Sequence, residues 1–114
     1  MSANGRVGVK LQRVIRYNAP STLEVRLAPD GTGDTIATVS LDTAYLRVVD
    51  VIRVTPQPIR VRAFSDRVEF QVLRPDATRP MAIMFTIEAG TRGRHRVRLG
   101  TTSGSVAFHQ LVLP

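Results

Sequence analysis

The sequence predicts an all-β protein: a sandwich of two packed, mainly antiparallel sheets with about eight or nine short strands. Apolar residues recur at every second position, turn residues separate the apolar segments, and only one short segment has a helical pattern. The 114 residues have room for one compact core. We therefore expect a single β-sandwich domain over residues 1–114, which could be a whole gene product or a domain excised from a larger protein.

Nine segments carry the strand pattern. Five of them alternate polar and apolar residues, as a strand between core and water does: 7–11, 23–27, 59–62, 67–72 and 94–99. Residues 81–89 place Ile83, Phe85 and Ile87 on one side, and residues 35–41, 48–54 and 106–113 are apolar with weaker alternation. We expect more than about 40% strand and less than about 12% helix.

Turn residues lie between these segments. Residues 28–34 combine Pro, Asp and Gly, and residues 55–58 carry two prolines, which lock φ and interrupt backbone hydrogen bonding. Ser65 and Asp66 separate two strands closely enough for a hairpin, and residues 74–80, 90–93 and 100–104 are further connections. Residues 42–46 are expected to form one helical turn with Asp42 as its N-cap.

The alternation also assigns the core. One apolar side of each alternating strand should be buried, because successive side chains of a strand point to opposite faces of the sheet. The expected core residues are Val25, Val61, Val68, Phe70, Val72, Ile83, Phe85, Ile87, Val97 and Leu99.

The last strand is apolar on both sides. One set of side chains should face one way and the other set the opposite way: Val106, Phe108, Gln110 and Val112 against Ala107, His109, Leu111 and Leu113. A strand that is apolar on both faces needs two covers, although a chain end tends to lie at a sheet edge. Either a second subunit (a homodimer) or a missing part of a parent protein covers the outer side, or Val14 and Ile15 fold over it.

The Pro56-Gln57-Pro58 break and the late strand from Gly93 to Leu99 resemble features of immunoglobulin-like domains on bacterial surface or membrane-anchored proteins. In that family the late strand often carries Gly, an aromatic residue and then alternating apolar positions, and His95 takes the aromatic place here. The chain departs from antibody-type domains because it has no cysteine and no tryptophan. The resemblance implies an immunoglobulin-like β-sandwich and assigns no binding residue.

No residue pattern points to catalysis, a metal or a cofactor. A metal site needs about three convergent ligands, and the chain has two histidines, His95 and His109, and no cysteine. The G-x-S-x-G motif is absent, and Lys10, the only lysine, lies in no phosphate-binding loop. We expect a protein that is not an enzyme and has no catalytic residue, metal or cofactor. Its histidines should be half-buried and satisfied by backbone or water.

Positive charge is concentrated at the two ends of the chain. The net charge is +7, and residues 1–16 and 90–114 each contain four basic residues and no acidic one. Because the first strand of such a sandwich usually lies beside the last, the late arginines should lie near Arg6, Lys10 or Arg13. The candidate anion- or partner-binding residues are Arg92, Arg94, Arg96, Arg98 and Lys10, with Arg60 and Arg62 on a second strand face beside Phe64.

These observations leave two functions open, beside a third and least favoured one, a small enzyme whose site is assembled from loops. The first is a non-catalytic interaction or structural module whose partner is a protein, either a second copy or another domain of a parent protein. The alternative is polyanion or nucleic-acid binding through the Arg-rich terminal strands, which would weaken steeply with salt. The same charges could instead serve solubility and block edge pairing. No segment is long and apolar enough to cross a membrane. The location is cytoplasmic if the chain is complete and extracytoplasmic if it is excised from an anchored protein.

Overall fold

The two-residue alternation of the sequence appears as ten strands and one helical turn in the described part of the chain. The computed structural model describes residues 14–29, 35–101 and 104–114, and the backbone of residues 7–11. The elements in chain order are β1 Val7–Leu11, β2 Val14–Arg16, β3 Pro20–Leu27, β4 Ile36–Asp42, α1 Thr43–Leu46, β5 Val49–Thr55, β6 Arg60–Ala63, β7 Arg67–Leu73, β8 Met81–Ala89, β9 Gly93–Thr101 and β10 Gly104–Leu113.

The strands form two sheets. The four-stranded sheet has the order β1-β3-β8-β5, and the six-stranded sheet has the order β2-β10-β9-β4-β7-β6. All neighbouring strands are antiparallel except β2 and β10, which are parallel. Strands make up 69% of the structure and helix 4%. The prediction of an all-β sandwich of two mainly antiparallel sheets is therefore confirmed.

The core fills the space between the sheets. Phe70 on β7 and Phe85 on β8 meet edge to face across it, with ring centroids 5.2 Å apart. Of the ten expected core residues, eight are buried and Val68 packs partly buried against them. Val61 was assigned wrongly, because it is 55% exposed. Its strand β6 is the last of the six-stranded sheet, where alternation persists but no described strand of the other sheet covers the apolar side.

A strand that the sequence pattern missed, β2, lies beside the end of β10. Val14, Ile15 and Arg16 pair with Leu111 to Leu113, and only Ile15 is buried. The alternative in which Val14 and Ile15 fold over the last strand is therefore wrong, because they pair beside β10 in the same sheet. Three residues are too few for a period of two to be recognised.

The alternation expected for β10 is confirmed. Gln110 and Val112 are buried, whereas Leu111 and Leu113 are 41% and 40% exposed. Val106 and Phe108 are partly buried, while Ala107 and His109 are exposed. Within the described residues, β10 thus has an outer side that no other element covers.

The helical turn expected at residues 42–46 is present as α1, and Asp42 occupies the N-cap position. Its carboxylate makes no capping hydrogen bond; Oδ1 accepts instead from the backbone N–H of Arg98, 3.1 Å away on β9. A turn of four residues follows β4 here because the chain must leave the six-stranded sheet and cross to β5 in the other sheet. In the described ranges no helix has the length and hydropathy to cross a membrane.

The same truncation at two valines tests the placement of the core. Val97→Ala removes a fully buried side chain and should lower the free energy of unfolding by roughly 2 kcal/mol. Val61→Ala, at an exposed position of β6, should change it by less than about 0.5 kcal/mol. Urea denaturation of both variants measures the difference, and equal losses would contradict the edge position of β6.

Candidate binding face on the six-stranded sheet

Three arginines form a row on β9 because the other side of this strand is buried. Val97 and Leu99 are fully buried, so Arg94, Arg96 and Arg98 must point to the opposite face. All three arginines are exposed. On β10 they lie opposite Leu111, His109 and Ala107 in that order.

Arginines from three other strands share this face. The cross-strand register places their side chains on the solvent side of the six-stranded sheet. We call this surface the arginine face; its arginines are Arg16, Arg60, Arg62, Arg67, Arg94, Arg96 and Arg98. Arg60 and Arg62 on β6 are three strand spacings from β9, which is about 14 Å.

The charge of the arginine face differs from that of the opposite side of the sandwich. This face carries seven arginines and two carboxylates, Asp42 and Glu69, so its net charge is five positive charges. On the outer side of the four-stranded sheet the described side chains hold two arginines and three carboxylates: Arg26, Arg53, Glu24, Asp50 and Glu88. Of the outer surfaces of the two sheets, only the arginine face therefore carries an excess of positive charge among the described side chains.

A cleft of about 580 Å³ opens in the arginine face, where β4 leaves the sheet. One wall is β9, and the other is α1 with the turn between β6 and β7, which is tied to α1 by a 2.9 Å hydrogen bond from Thr43 N to Asp66 O. On the floor, a Cβ at Gly100 would lie 2.6 Å from Ser40 Oγ, so the absence of a side chain keeps this part open. The charged lining residues are Arg47, Arg67, Arg96, Arg98, Asp42 and Asp66.

Of the four cleft arginines, Arg67 is held by acidic neighbours. It contacts Glu69 at 3.2 Å and Asp66 at 2.9 Å, and its guanidinium lies 4.3 Å from the Phe64 ring centroid. The hydrogen bond to Glu69 is the main reason that the pKa of Arg67 rises above its ordinary value. No described carboxylate lies within ion-pair distance of Arg47, Arg96 or Arg98. Three guanidinium groups of the cleft are thus available to an acidic ligand.

Tyr45 fixes the α1 wall of the cleft. Its side chain is 1% exposed, and its hydroxyl donates to Oε1 of Gln110 on β10 at 2.8 Å. Burial, with a smaller effect of the Asp42 charge, raises the pKa of Tyr45 well above 10.0, its ordinary value. The phenol is therefore neutral at ordinary pH, and the hydrogen bond joins α1 to the neighbouring strand.

The structure brings only part of the candidate set together. Arg94, Arg96 and Arg98 share the arginine face with Arg60 and Arg62, as the strand alternation implies. Arg92 lies in the turn before β9, with its guanidinium 4.9 Å from the Tyr17 ring centroid. Arg62 lies similarly over Phe64, at 5.3 Å.

Contrary to the expectation for the two basic ends of the chain, the first strand does not lie beside the last one. Lys10 belongs to β1, an edge strand of the four-stranded sheet, so its strand is not a neighbour of β10. Arg6 and Arg13 lie outside the described residues, as does the side chain of Lys10. The strand beside the last one is β2, and it brings Arg16 to the arginine face.

The two histidines have different environments. His95 is partly buried, and its Nε2 lies 2.8 Å from the carbonyl oxygen of Thr91, as expected for a histidine satisfied by backbone. His109 is exposed, which corrects the expectation that it is half-buried, because its side of β10 is uncovered. Among the described residues no group of three His, Asp or Glu side chains could hold a metal ion.

Sequence reasoning missed several members of the site. Arg47, Arg67, Asp42 and Asp66 belong to the middle of the chain, where the charges nearly cancel in sequence. Asp42 ends β4, the neighbour of β9, whereas the α1 turn and the β6–β7 hairpin bring the other three residues to β9. The one available signal was the strict alternation of residues 67–72, which places Arg67 and Glu69 together on the solvent side.

The fold is similar to that of two solved domains. A cohesin module of a family 33 glycoside hydrolase from Clostridium perfringens matches with a TM-score of 0.62 and 7% identity, over 94% of this chain and 95% of that one. A CARDB domain from Pyrococcus furiosus, solved in complex with di-metal ions, matches with a TM-score of 0.58 and 13% identity, over 94% and 85%. Both are immunoglobulin-like β-sandwiches, and this chain shares that fold. No family model matches the sequence, and comparison with curated proteins gives no match.

The alkaline stability of the protein should depend on Tyr45. Because folding raises the pKa of Tyr45, its contribution to stability is complete below pH 10.0 and is lost as the pH rises further. The free energy of unfolding should fall by up to about 1.4 kcal/mol per pH unit above that value. Tyr45→Phe should cost about 1–2 kcal/mol at neutral pH and remove most of this alkaline loss. Tyr17→Phe, which keeps Tyr45, should retain it. Urea denaturation between pH 8 and 11 provides the measurement, and an unchanged loss in Tyr45→Phe would contradict the assignment.

Proposed function

We propose that this protein is a non-catalytic interaction module that binds an acidic partner protein through the arginine face. The observation that carries the proposal is the unequal charge of the two outer sheet surfaces: among the described side chains, the arginine face has five excess positive charges and the opposite surface has none. Charge that served only solubility would not need to be confined to one face. A one-sided field instead orients an oppositely charged partner and speeds its association.

The geometry of the cleft supports a protein partner. Arg47, Arg96 and Arg98 offer guanidinium groups without described acidic partners, and a guanidinium binds carboxylate through paired hydrogen bonds. Asp42 and Asp66 in the same cleft also offer carboxylate oxygens to a basic residue of the partner. An acidic protein surface that also carries a basic residue would complement both the arginines and the carboxylates of the cleft.

The structural neighbours support a non-catalytic role. Both are named as modules or domains: one is a cohesin module of a glycoside hydrolase, the other a CARDB domain. At 7% and 13% identity they support the fold of this module and assign it no particular partner. The occurrence of this domain on a bacterial surface or membrane-anchored protein stays a prediction.

The second candidate is polyanion or nucleic-acid binding. The row Arg94, Arg96 and Arg98 favours it, since these regularly spaced arginines pair with no described carboxylate and can contact successive anionic groups. The aromatic side chains argue against single-stranded nucleic acid. Phe64 is only partly exposed and lies under Arg62 and Arg67, so its ring is not a free stacking platform.

Charge removal on one face tests the proposal. The triple variant Arg94→Ser, Arg96→Ser and Arg98→Ser should bind poly-glutamate at least about tenfold more weakly at about 50 mM salt. Its melting temperature should stay within a few degrees, because exposed charges contribute little to stability. Binding by fluorescence anisotropy and melting by circular dichroism give the two measurements.

The matched control removes three exposed arginines elsewhere. Arg26→Ser, Arg53→Ser and Arg79→Ser together give the same net charge but leave the arginine face intact, and binding should be close to that of the wild type. Equal loss in both triple variants would reduce the effect to net charge and overturn the proposal. Tighter binding to heparin or duplex DNA than to poly-glutamate, with a steep salt dependence, would favour the second candidate instead.

A further inference from the structure

The six-stranded sheet has an unpaired edge along most of β10. On one side β10 pairs with β9 over residues 104–112, whereas on the other side β2 pairs only with Leu111 to Leu113. In the described ranges no strand occupies the second side of residues 104–110. We call these seven residues the free edge.

The backbone groups that point outward along the free edge follow from the pairing with β2. The carbonyl oxygen of Leu113 accepts from Tyr17 N at 2.8 Å, so the polar groups of Leu113 point away from β9. Polar groups alternate in direction along a strand, and the β9–β10 register runs without a bulge. The N–H and C=O groups of Ser105, Ala107 and His109 therefore point outward and are open to a further strand.

The free edge lacks the features that usually prevent strand pairing. Its residues include no charge, no proline and no bulge. By contrast, the β6 edge of the same sheet carries Arg60 and Arg62 and follows Pro56 and Pro58, and the β5 edge of the other sheet carries a bulge between Val51 and Arg53. Proteins protect exposed edges with charges, prolines and bulges. An edge without any of them is suited to pairing.

We propose that the free edges of two copies of this chain pair antiparallel about a twofold axis at Ala107, forming a symmetric dimer. In this register Ala107 faces the partner's Ala107, and Ser105 faces the partner's His109. Because Ser105, Ala107 and His109 are the residues with outward polar groups, these pairs make about six backbone hydrogen bonds. A register centred at Val106 or Phe108 would keep two such residue pairs within the free edge and make about four hydrogen bonds.

The side chains agree with this register. The small side chain of Ala107 stands at the axis, where a larger one would meet its own copy. Val106 lies opposite the partner's Phe108 on the inner side, so two partly buried apolar side chains cover each other. Arg98, across from Ala107 on β9, is three strand spacings from the partner's Arg98. That is about 14 Å, beyond the Debye length of about 8 Å at physiological salt, so the like charges are largely screened.

The dimer has a consequence for binding. A twofold axis perpendicular to the sheets joins two six-stranded sheets into one twelve-stranded sheet and keeps both arginine faces on the same side. Two faces then bind an extended acidic partner together, with the gain that comes from linked sites. This consequence rests on the proposed function, whereas the dimer itself does not.

Sedimentation velocity tests the dimer. A contact of seven residues is at the lower end of interface sizes, so dissociation in the micromolar range is expected. Between about 5 and 300 μM the wild-type chain should change from monomer to dimer. Ala107→Pro, which removes the central N–H, and Ala107→Lys, which places like charges at the axis, should each weaken dimerisation at least about tenfold. Ala82→Lys, at an exposed alanine of β8, should have no effect.

Cysteine cross-linking tests the register, since the chain has no cysteine of its own. Paired Ala107 Cα atoms would be about 5.5 Å apart, within disulfide range, so Ala107→Cys should form a covalent dimer on mild oxidation. Ser105→Cys lies on the same edge, but its own copy would be about 14 Å away, so it should not cross-link. A wild-type monomer up to 300 μM, or equal cross-linking by both variants, would overturn the proposal. Because the monomer carries the whole arginine face, either result would leave the expected binding of poly-glutamate unchanged.

Discussion

The arginine face depends on one geometric constraint: successive side chains of a strand point to opposite sides of the sheet. Burial of Val97 and Leu99 in the core leaves Arg94, Arg96 and Arg98 only the solvent side. A shift of β9 by one residue would bury three charges and expose the apolar pair, at a large cost in free energy. The hydrophobic core thus fixes the position of the charged row, although no arginine contributes to that core.

A second constraint is the short exit of the chain from β4. Asp42 ends the strand, α1 turns towards the other sheet, and Tyr45 anchors that turn through its buried hydrogen bond to Gln110. This exit makes room for the cleft beside β9 and brings Arg47 and the β6–β7 turn to its rim. The Asp42 carboxylate accepts from the backbone of Arg98, so the same residue ends a strand and fixes the neighbouring one.

The similarity to a cohesin module and a CARDB domain concerns the fold and not the surface that binds a partner. With 7% and 13% identity, these domains share the sandwich, because many sequences with alternating apolar residues can fill the space between two sheets. Surface charges are under no such packing constraint. The uneven distribution of charge between the two sheets is therefore a property of this chain, and recognition has to be argued from it.

The sequence by itself determined the fold class, nearly all the strands, the α1 turn and the row of three arginines. Most of these features follow from local rules, namely a period of two and turn residues; α1 forms at the expected residues, although Asp42 makes no capping hydrogen bond. Only the tertiary structure decided the strand order, and with it the exposure of Val61 at a sheet edge and the pairing of β2 with β10. It also decided that Arg16, Arg47, Arg60, Arg62 and Arg67 lie on the same side as the β9 row. Residues distant in the chain come together because their strands pair within one sheet. Alternation specifies which face of the sheet a side chain takes, but it does not specify which strand lies beside it.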